Sequence, residues 1–257
     1  GHQSYAQQAA SEFPNVQFVS MTGDTAKTAG LDNFANAFTD IYQARYVSGV
    51  VAGMKIAELD KEGKIEAKNK TEDGKVKIGY VGAFPYAEVV SGYTSFYLGA
   101  KSVCPDVTMK VRYTGSWYDT DKEHDTADTL IKKDGCKLIS QHADSYGAPN
   151  ACEENNVPNV SYNGSTKAQG PNTYIVSSRI NWTPYFEYMI DCVLNGENIA
   201  HDWTGTIATG SVEIIDLNEE VAAEGTKAAL EAAEGKLKAG TLSVFNLDSF
   251  TVGGYRR

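Results

Sequence analysis

The sequence predicts an α/β protein built on parallel β-sheet, and three observations lead there. Short apolar runs alternate with amphipathic stretches of about 10 to 20 residues along most of the chain, the pattern of repeated strand–helix–strand units. The segment Lys77–Asp119 (KIGYVGAFPYAEVVSGYTSFYLGAKSVCPDVTMKVRYTGSWYD) shows one such unit in full: a buried strand, a glycine-bearing turn, an amphipathic helix, a second strand and an aromatic, polar loop. Several polar and aromatic loops follow the strands directly, and in open α/β sheets the crevice at the strand carboxyl ends is where small molecules bind.

The elements follow in order. HQSYAQQAASEFP reads as a helix already in progress and leads into a strand, Val16–Met21, closed by the polar turn Thr22-Gly23-Asp24. An α/β domain commonly opens on a strand, so the expectation is a start partway into a domain whose first strands lie before Gly1. Asn33–Thr39 alternates apolar and polar residues and predicts a short strand. Ile41, Ala44, Val47, Val51 and Met54 keep helical spacing over Asp40–Leu59, with Thr39 or Asp40 as N-cap. Gly49 and Gly53, four apart, are expected to pack closely on the sheet. Lys61–Lys77 is polar and predicts a solvated loop that crosses between lobes.

Strands are predicted at Val76–Val81, Thr108–Tyr113, Lys137–Ser140, Asn159–Tyr162 and Thr173–Ser177. Helices are predicted at Tyr86–Val103, Lys122–Lys133, Ala148–Glu154 and Pro184–Leu194, the last with proline in its first turn. A β-rich stretch Trp203–Ile215, an alanine-rich helix Glu219–Lys238 and a strand Ser243–Phe245 complete the order.

Composition narrows the function. The 257 residues are 42% hydrophobic and 22% charged, ordinary for a globular chain. Twenty-three Lys+Arg against 33 Asp+Glu give a net charge of −10, which repels phosphate backbones and anionic lipid and argues against nucleic acid as a partner. No apolar run reaches the roughly 18 residues of a membrane-spanning helix. Cys104, Cys136, Cys152 and Cys192 form no Cys-x-x-Cys pair and read as buried small apolar side chains; one or two disulfides stay open as an alternative.

Four loops fall at predicted strand ends: Gly82–Tyr86, Thr114–Asp119, Gln141–Ser145 and Tyr162–Ser165. Phe84, Tyr86, Trp117 and Tyr162, with Tyr118, offer flat apolar faces, and His142, Asp144, Ser145 and Asn163 offer hydrogen-bonding groups. Aromatic walls with a few placed polar groups make a small-molecule pocket. Each residue also has a plainer reading: Trp117 as a surface cover, His142 as a structural histidine, Asp144 as a helix N-cap, and Asn163-Gly164 as a turn dipeptide. His142 and Asp144, even with His124, lack a third neighbouring ligand, so no metal site is expected. Neither phosphate-binding glycine motif nor a G-x-S-x-G nucleophile elbow occurs, so no catalytic residue and no cofactor is assigned.

FTDIYQARYVSGVVAGM (38–54), Lys77–Asp106, YTGSWYD (113–119), QHADS (141–145), INWTPYF (180–186) and VFNLDSFTVGG (244–254) resemble, in order and spacing, the basic membrane protein family of substrate-binding lipoproteins of ABC importers. The resemblance implies a type I periplasmic-binding fold: two Rossmann-like lobes, one formed by 1–76 and 180–205 with its first strands missing, the other by 77–179 and 206–257. It implies a purine base or nucleoside as ligand, an ABC permease as partner, lobe closure on binding, and an extracytoplasmic location. Contact with the membrane would come only through a lipid anchor outside this chain. Asn163, Ile180 and Pro85 stand where nucleoside-binding relatives carry an acid, a lysine and an acid. Trp117, His142, Asp144 and Trp182 resemble instead a branch associated with free purine bases. A sensor or receptor domain for a sugar is the alternative reading, and a nucleoside-processing enzyme a remote one.

Overall fold

The computed structural model describes residues 2–245 and the backbone of 251–252 and 255–256. In chain order the elements are α1 (Gln3–Glu12), β1 (Phe18–Met21), α2 (Ala26–Ala29), β2 (Phe34–Thr39) and α3 (Ile41–Lys61). After a short 3-10 turn at Ala67–Asn69 come β3 (Val76–Gly82), α4 (Ala87–Val103), β4 (Val107–Tyr113), α5 (Thr120–Lys132), β5 (Ile139–His142) and α6 (Gly147–Glu154). Then follow β6 (Asn159–Tyr162), β7 (Tyr174–Ile180), α7 (Thr183–Asn195), β8 (Asp202–Gly205), β9 (Val212–Ile215), α8 (Thr226–Lys238), β10 (Thr251–Val252) and β11 (Tyr255–Arg256). The chain divides into two compact units, 1–40 with 180–213, and 41–179 with 214–257.

The smaller unit is built on a three-stranded sheet, β1-β2-β8, parallel in both pairings. Its strands send successive side chains to opposite faces. Phe18 and Phe34 meet Ala6, Ala10 and Ala26 of α1 and α2, while Val19 and Ala35 meet Tyr188, Met189 and Cys192 of α7. β2 is buried on both faces, which is why its apolar and polar residues, read as a half-buried alternation, do not sort by exposure.

The larger unit holds a six-stranded sheet in the order β4-β3-β5-β6-β7-β9, with the pairings from β4 through β7 parallel. Val81 points to the side where Ala127 and Leu130 of α5 and Ala148 and Ala151 of α6 pack. Tyr80, next along β3, points to the other side, where its ring lies edge-on to Tyr93 and Phe96 of α4. The strand carboxyl ends therefore share one rim, as the alternation predicts.

Four expectations change. Gly49 and Gly53 do not pack on the sheet. They let α3 lie backbone-to-backbone on α4, because a Cβ at Gly49 would stand 2.0 Å from the Phe96 carbonyl oxygen and one at Gly53 would stand 2.4 Å from that of Ala100. Gly99 answers from α4, where a Cβ would stand 2.0 Å from the Tyr46 carbonyl oxygen. This contact ties α3 to the larger unit, so the chain passes between units at Asp40–Ile41 and not within Lys61–Lys77. That polar loop is itself fastened to the larger unit, since Asn69 Nδ2 donates to the Gly135 carbonyl at 3.0 Å. Finally, α8 begins at Thr226 and not at Glu219: Gly225 takes the left-handed conformation (φ 78°), and the amides of Val221 and Ala222 turn back onto the Asn218 carbonyl. Ser243–Phe245 carries no strand.

Two outcomes follow from this packing. Gly49→Ala forces the α3–α4 backbones apart and lowers stability by about 1–3 kcal/mol or more, measured by urea denaturation. Asp134 accepts from Arg112 Nε at 2.6 Å and Lys110 Nζ at 2.8 Å, and these bonds, Arg112 foremost, hold its carboxyl down to about 2. A depressed folded-state value stabilises the fold above the unfolded carboxylate range and is lost as pH falls from about 4 toward 2. Because Arg112 and Lys110 are 38% and 51% exposed, Asp134→Asn is expected to cost about 1–2 kcal/mol at pH 7 and to flatten that acid limb.

Candidate functional site

The rim of the larger sheet gathers most of the residues singled out from sequence. After β3, Ala83 leads into Phe84-Pro85-Tyr86, and α4 starts at Ala87 with Glu88 in its first turn. After β4, the amides of Thr114 and Gly115 donate to the carbonyls of Gly82 and Ala83, both at 2.9 Å, so this loop lies against the first. Gly115 has φ 72°, a conformation that turns the chain back toward Trp117. After β5, the Asp144 amide donates to the Trp117 carbonyl at 2.9 Å, joining a third loop to the second. After β6, Asn163 takes φ 64°, as an Asn-Gly turn favours, and its Nδ2 approaches Asp144 Oδ1 at 3.5 Å.

These ties bring three rings together. Phe84 and Tyr86 stack with centroids 5.3 Å apart, and Trp117 tilts against them at 5.5 and 6.0 Å. Tyr86 and Trp117 remain 57% and 37% exposed, so the cluster presents aromatic surface outward. Beside it, His142 packs 4.1 Å from the Tyr162 ring.

His142 is the last residue of β5 and not a loop residue, and it is fully buried. It fills a notch over α4 that only glycine leaves open, since a Cβ at Gly92 would come within 2.6 Å of its Nδ1. Nδ1 faces the Tyr80 hydroxyl at 3.4 Å, while Nε2 has no hydrogen-bond partner and looks toward Glu88 Oε1 at 3.7 Å. Burial holds the imidazole below its usual range, with Glu88 opposing, so the ring is neutral at pH 7. Asp144 is open to solvent along one side, yet its enclosed side pushes the carboxyl above the usual range, against the pull of His142 and Asn163.

Ser145 is buried and its hydroxyl accepts from the Gly147 amide at the start of α6. Trp182 precedes α7 in the smaller unit. His124 bonds Glu154 at 3.0 Å, apart from His142 and Asp144. No group of three or more His, Cys, Asp or Glu side chains suited to a metal ion occurs among the described residues, nor a helix long and apolar enough to cross a membrane. The cysteines are unpaired, and burial raises the thiols of Cys136 and Cys152.

Three residues unmarked in the sequence support the rim. The Glu123 carboxyl, raised by burial, accepts the amides of Asp119 (3.2 Å) and Ser145 (3.2 Å), fastening the second loop to the third. Glu88 reads in sequence as an ordinary first-turn acid. Arg45, wholly buried in α3, donates to the Ser161 carbonyl and the Ser178 hydroxyl at 3.0 Å each, and to the Ser140 hydroxyl. Its guanidinium lies 5.3, 5.0 and 5.8 Å from the ring centres of Tyr80, Phe96 and Tyr162. A charged residue on an otherwise apolar helix face was the available signal for Arg45.

The chain as a whole matches known proteins. Residues 2–244 match the family model described as ABC transporter substrate-binding protein PnrA-like. The chain belongs to this family. It is 32% identical over 249 residues to a purine-binding protein of Brucella abortus (strain 2308), covering 95% of this chain and 63% of that relative. It is 30% identical over 210 residues to a putative ABC transporter glucose-binding protein of Haloferax volcanii, covering 82% of this chain and 48% of that one. The chain thus spans about half to two thirds of these relatives' lengths. Among solved structures, an ABC transporter solute-binding protein from Aeropyrum pernix K1 superposes with a TM-score of 0.77 at 15% identity, covering 94% of this chain and 74% of that one, a likeness of fold.

Gly92→Ala is expected to displace the His142 ring and lower stability by about 1–3 kcal/mol. In thermal denaturation the loss shrinks when His142→Ala is added, because the two changes share one contact.

Proposed function

We propose that this chain captures a purine base or nucleoside for an ABC importer and hands it to the permease. It acts outside the cytoplasm, held to the membrane by a lipid anchor beyond the present chain. The observation that carries this reading is the exposed Phe84–Tyr86–Trp117 ring cluster, fastened by backbone hydrogen bonds beside the Asp144 carboxyl. A flat heterocycle stacks on such rings and donates a ring or amino N–H to the carboxylate. The purine-binding Brucella relative supports the same choice. Asn163, an amide beside Asp144, favours a free base over a ribose-bearing ligand.

Sugar capture is the second reading, favoured by the glucose-binding description of the Haloferax relative. Calorimetric titration with adenine, guanine, hypoxanthine, their nucleosides, ribose and glucose separates the two. A purine is expected to bind, and Trp117→Ala to weaken it by roughly tenfold or more, since base–aromatic stacking contributes about 1–3 kcal/mol. Binding of glucose with no purine response overturns the purine reading.

The pH profile is a further outcome. Because Asp144 takes up its proton above the usual aspartate range, affinity falls on acidification at a higher pH than an ordinary aspartate would give. Asp144→Asn binds more weakly and flattens that limb, as titration across pH shows.

A further inference from the structure

Glu88 is the polar group of the rim that the reading above leaves without a task. Its side chain is 18% exposed, in the first turn of α4, with Oε1 3.7 Å from the buried and unpartnered Nε2 of His142. It is close enough to Asp144 to raise that carboxyl further, and close enough to Tyr162 to raise its phenol. Neither Glu88 nor Asp144 pairs with a lysine or arginine among the described residues; their nearest polar neighbours are neutral, His142 for Glu88 and Asn163 for Asp144. Glu88 follows Tyr86 into α4 and Asp144 is bonded through its amide to Trp117, so both carboxylates sit on the loops that carry the rings, with no lysine or arginine paired to either among the described residues. Ionised carboxylates only accept hydrogen bonds, each with room for a pair of donors.

The surroundings hold this arrangement in place. Gly92 lets the His142 ring lie against α4, Tyr80 holds one ring nitrogen, and Tyr162 covers its face. When the Tyr80 hydroxyl donates to Nδ1, the ring proton sits on Nε2 and faces Glu88. His142 therefore orients Glu88 without neutralising it.

We propose that Glu88 is a specificity-determining residue: with Asp144 it forms an acceptor-only wall that takes a flat heterocycle through adjacent N–H donors and refuses a carbonyl oxygen or negative charge at the same edge. This rests on the small-molecule reading of the rim and narrows it to ligands with a donor edge. A site built to meet hydrogen-bonding groups rejects ligands that leave those groups unpaired far more strongly than an apolar pocket rejects a changed shape.

Guanine, hypoxanthine and xanthine test it, since they carry at one ring carbon an amino group, a hydrogen and a carbonyl oxygen. In calorimetric titration the wild-type chain is expected to bind guanine at least about tenfold more tightly than xanthine. Glu88→Gln, whose amide can both donate and accept, is expected to narrow that ratio by about tenfold, as is Asp144→Asn. Trp117→Ala, which removes stacking alone, weakens all three together and leaves the ratio standing. Xanthine binding as tightly as guanine, or a ratio unmoved in both carboxylate variants, overturns the inference while the purine reading survives. If no purine binds, that reading fails alone, and cytosine against uracil, an amino group against a carbonyl, carries the same test of Glu88. Wild-type protein that binds none of these five, nor adenine or any purine nucleoside, overturns both.

Discussion

The buried guanidinium of Arg45 is the interaction on which the larger unit's rim depends. Removing a charge from water costs several kcal/mol, and no carboxylate among the described residues pairs with this one. The offset comes from oxygens of Ser140, Ser161 and Ser178 on three successive strands, β5, β6 and β7, and from the faces of three aromatic rings. Those oxygens converge only when the strands hold their register. The helix bearing Arg45 must also lie tightly on α4, which the glycines of the α3–α4 contact permit. The two terminal nitrogens of this cation thus tie a helix to three strands, over the rings beneath the rim.

From that base the rim is assembled largely by backbone. Carbonyl and amide groups of Gly82, Ala83, Trp117 and Asp144 join the loops in sequence, and the buried Glu123 carboxyl holds the amides of Asp119 and Ser145. Rings and carboxyls are therefore placed by loops that cannot move singly. This is the preorganisation a binding site needs, because groups ordered in advance lose little entropy when a ligand arrives. The side chains left over are three rings packed on one another and two carboxylates, Glu88 and Asp144, that pair with no lysine or arginine among the described residues.

Much of this was legible before any coordinates. Period-two and helical spacing located nearly every strand and helix within a few residues, since burial of one face imposes those periods on sequence. The loops bearing Phe84, Trp117, Asp144 and Asn163 were legible because loops at parallel strand ends must share a rim. The sequence pattern ends a strand at Ser140 whereas β5 extends through His142, because a histidine inside an apolar notch looks in sequence like one in a loop. The seven residues before Thr226 kept helical composition but not helical structure, because Gly225 and Asn218 direct the backbone into turns.

Local pattern sufficed for the fold class and the strand order along the chain, because each rests on neighbours a few residues apart, while the family rests on a resemblance of segments spread along nearly the whole chain. The tertiary structure alone decided where the chain passes between units, what Gly49 and Gly53 pack on, and that Arg45, Glu88 and Glu123 belong to the rim. Each of these depends on partners far away in sequence, Arg45 on a serine 133 residues on and Glu123 on an amide 22 residues on. A buried charge is expensive unless distant groups answer it, and only the folded chain shows which groups do.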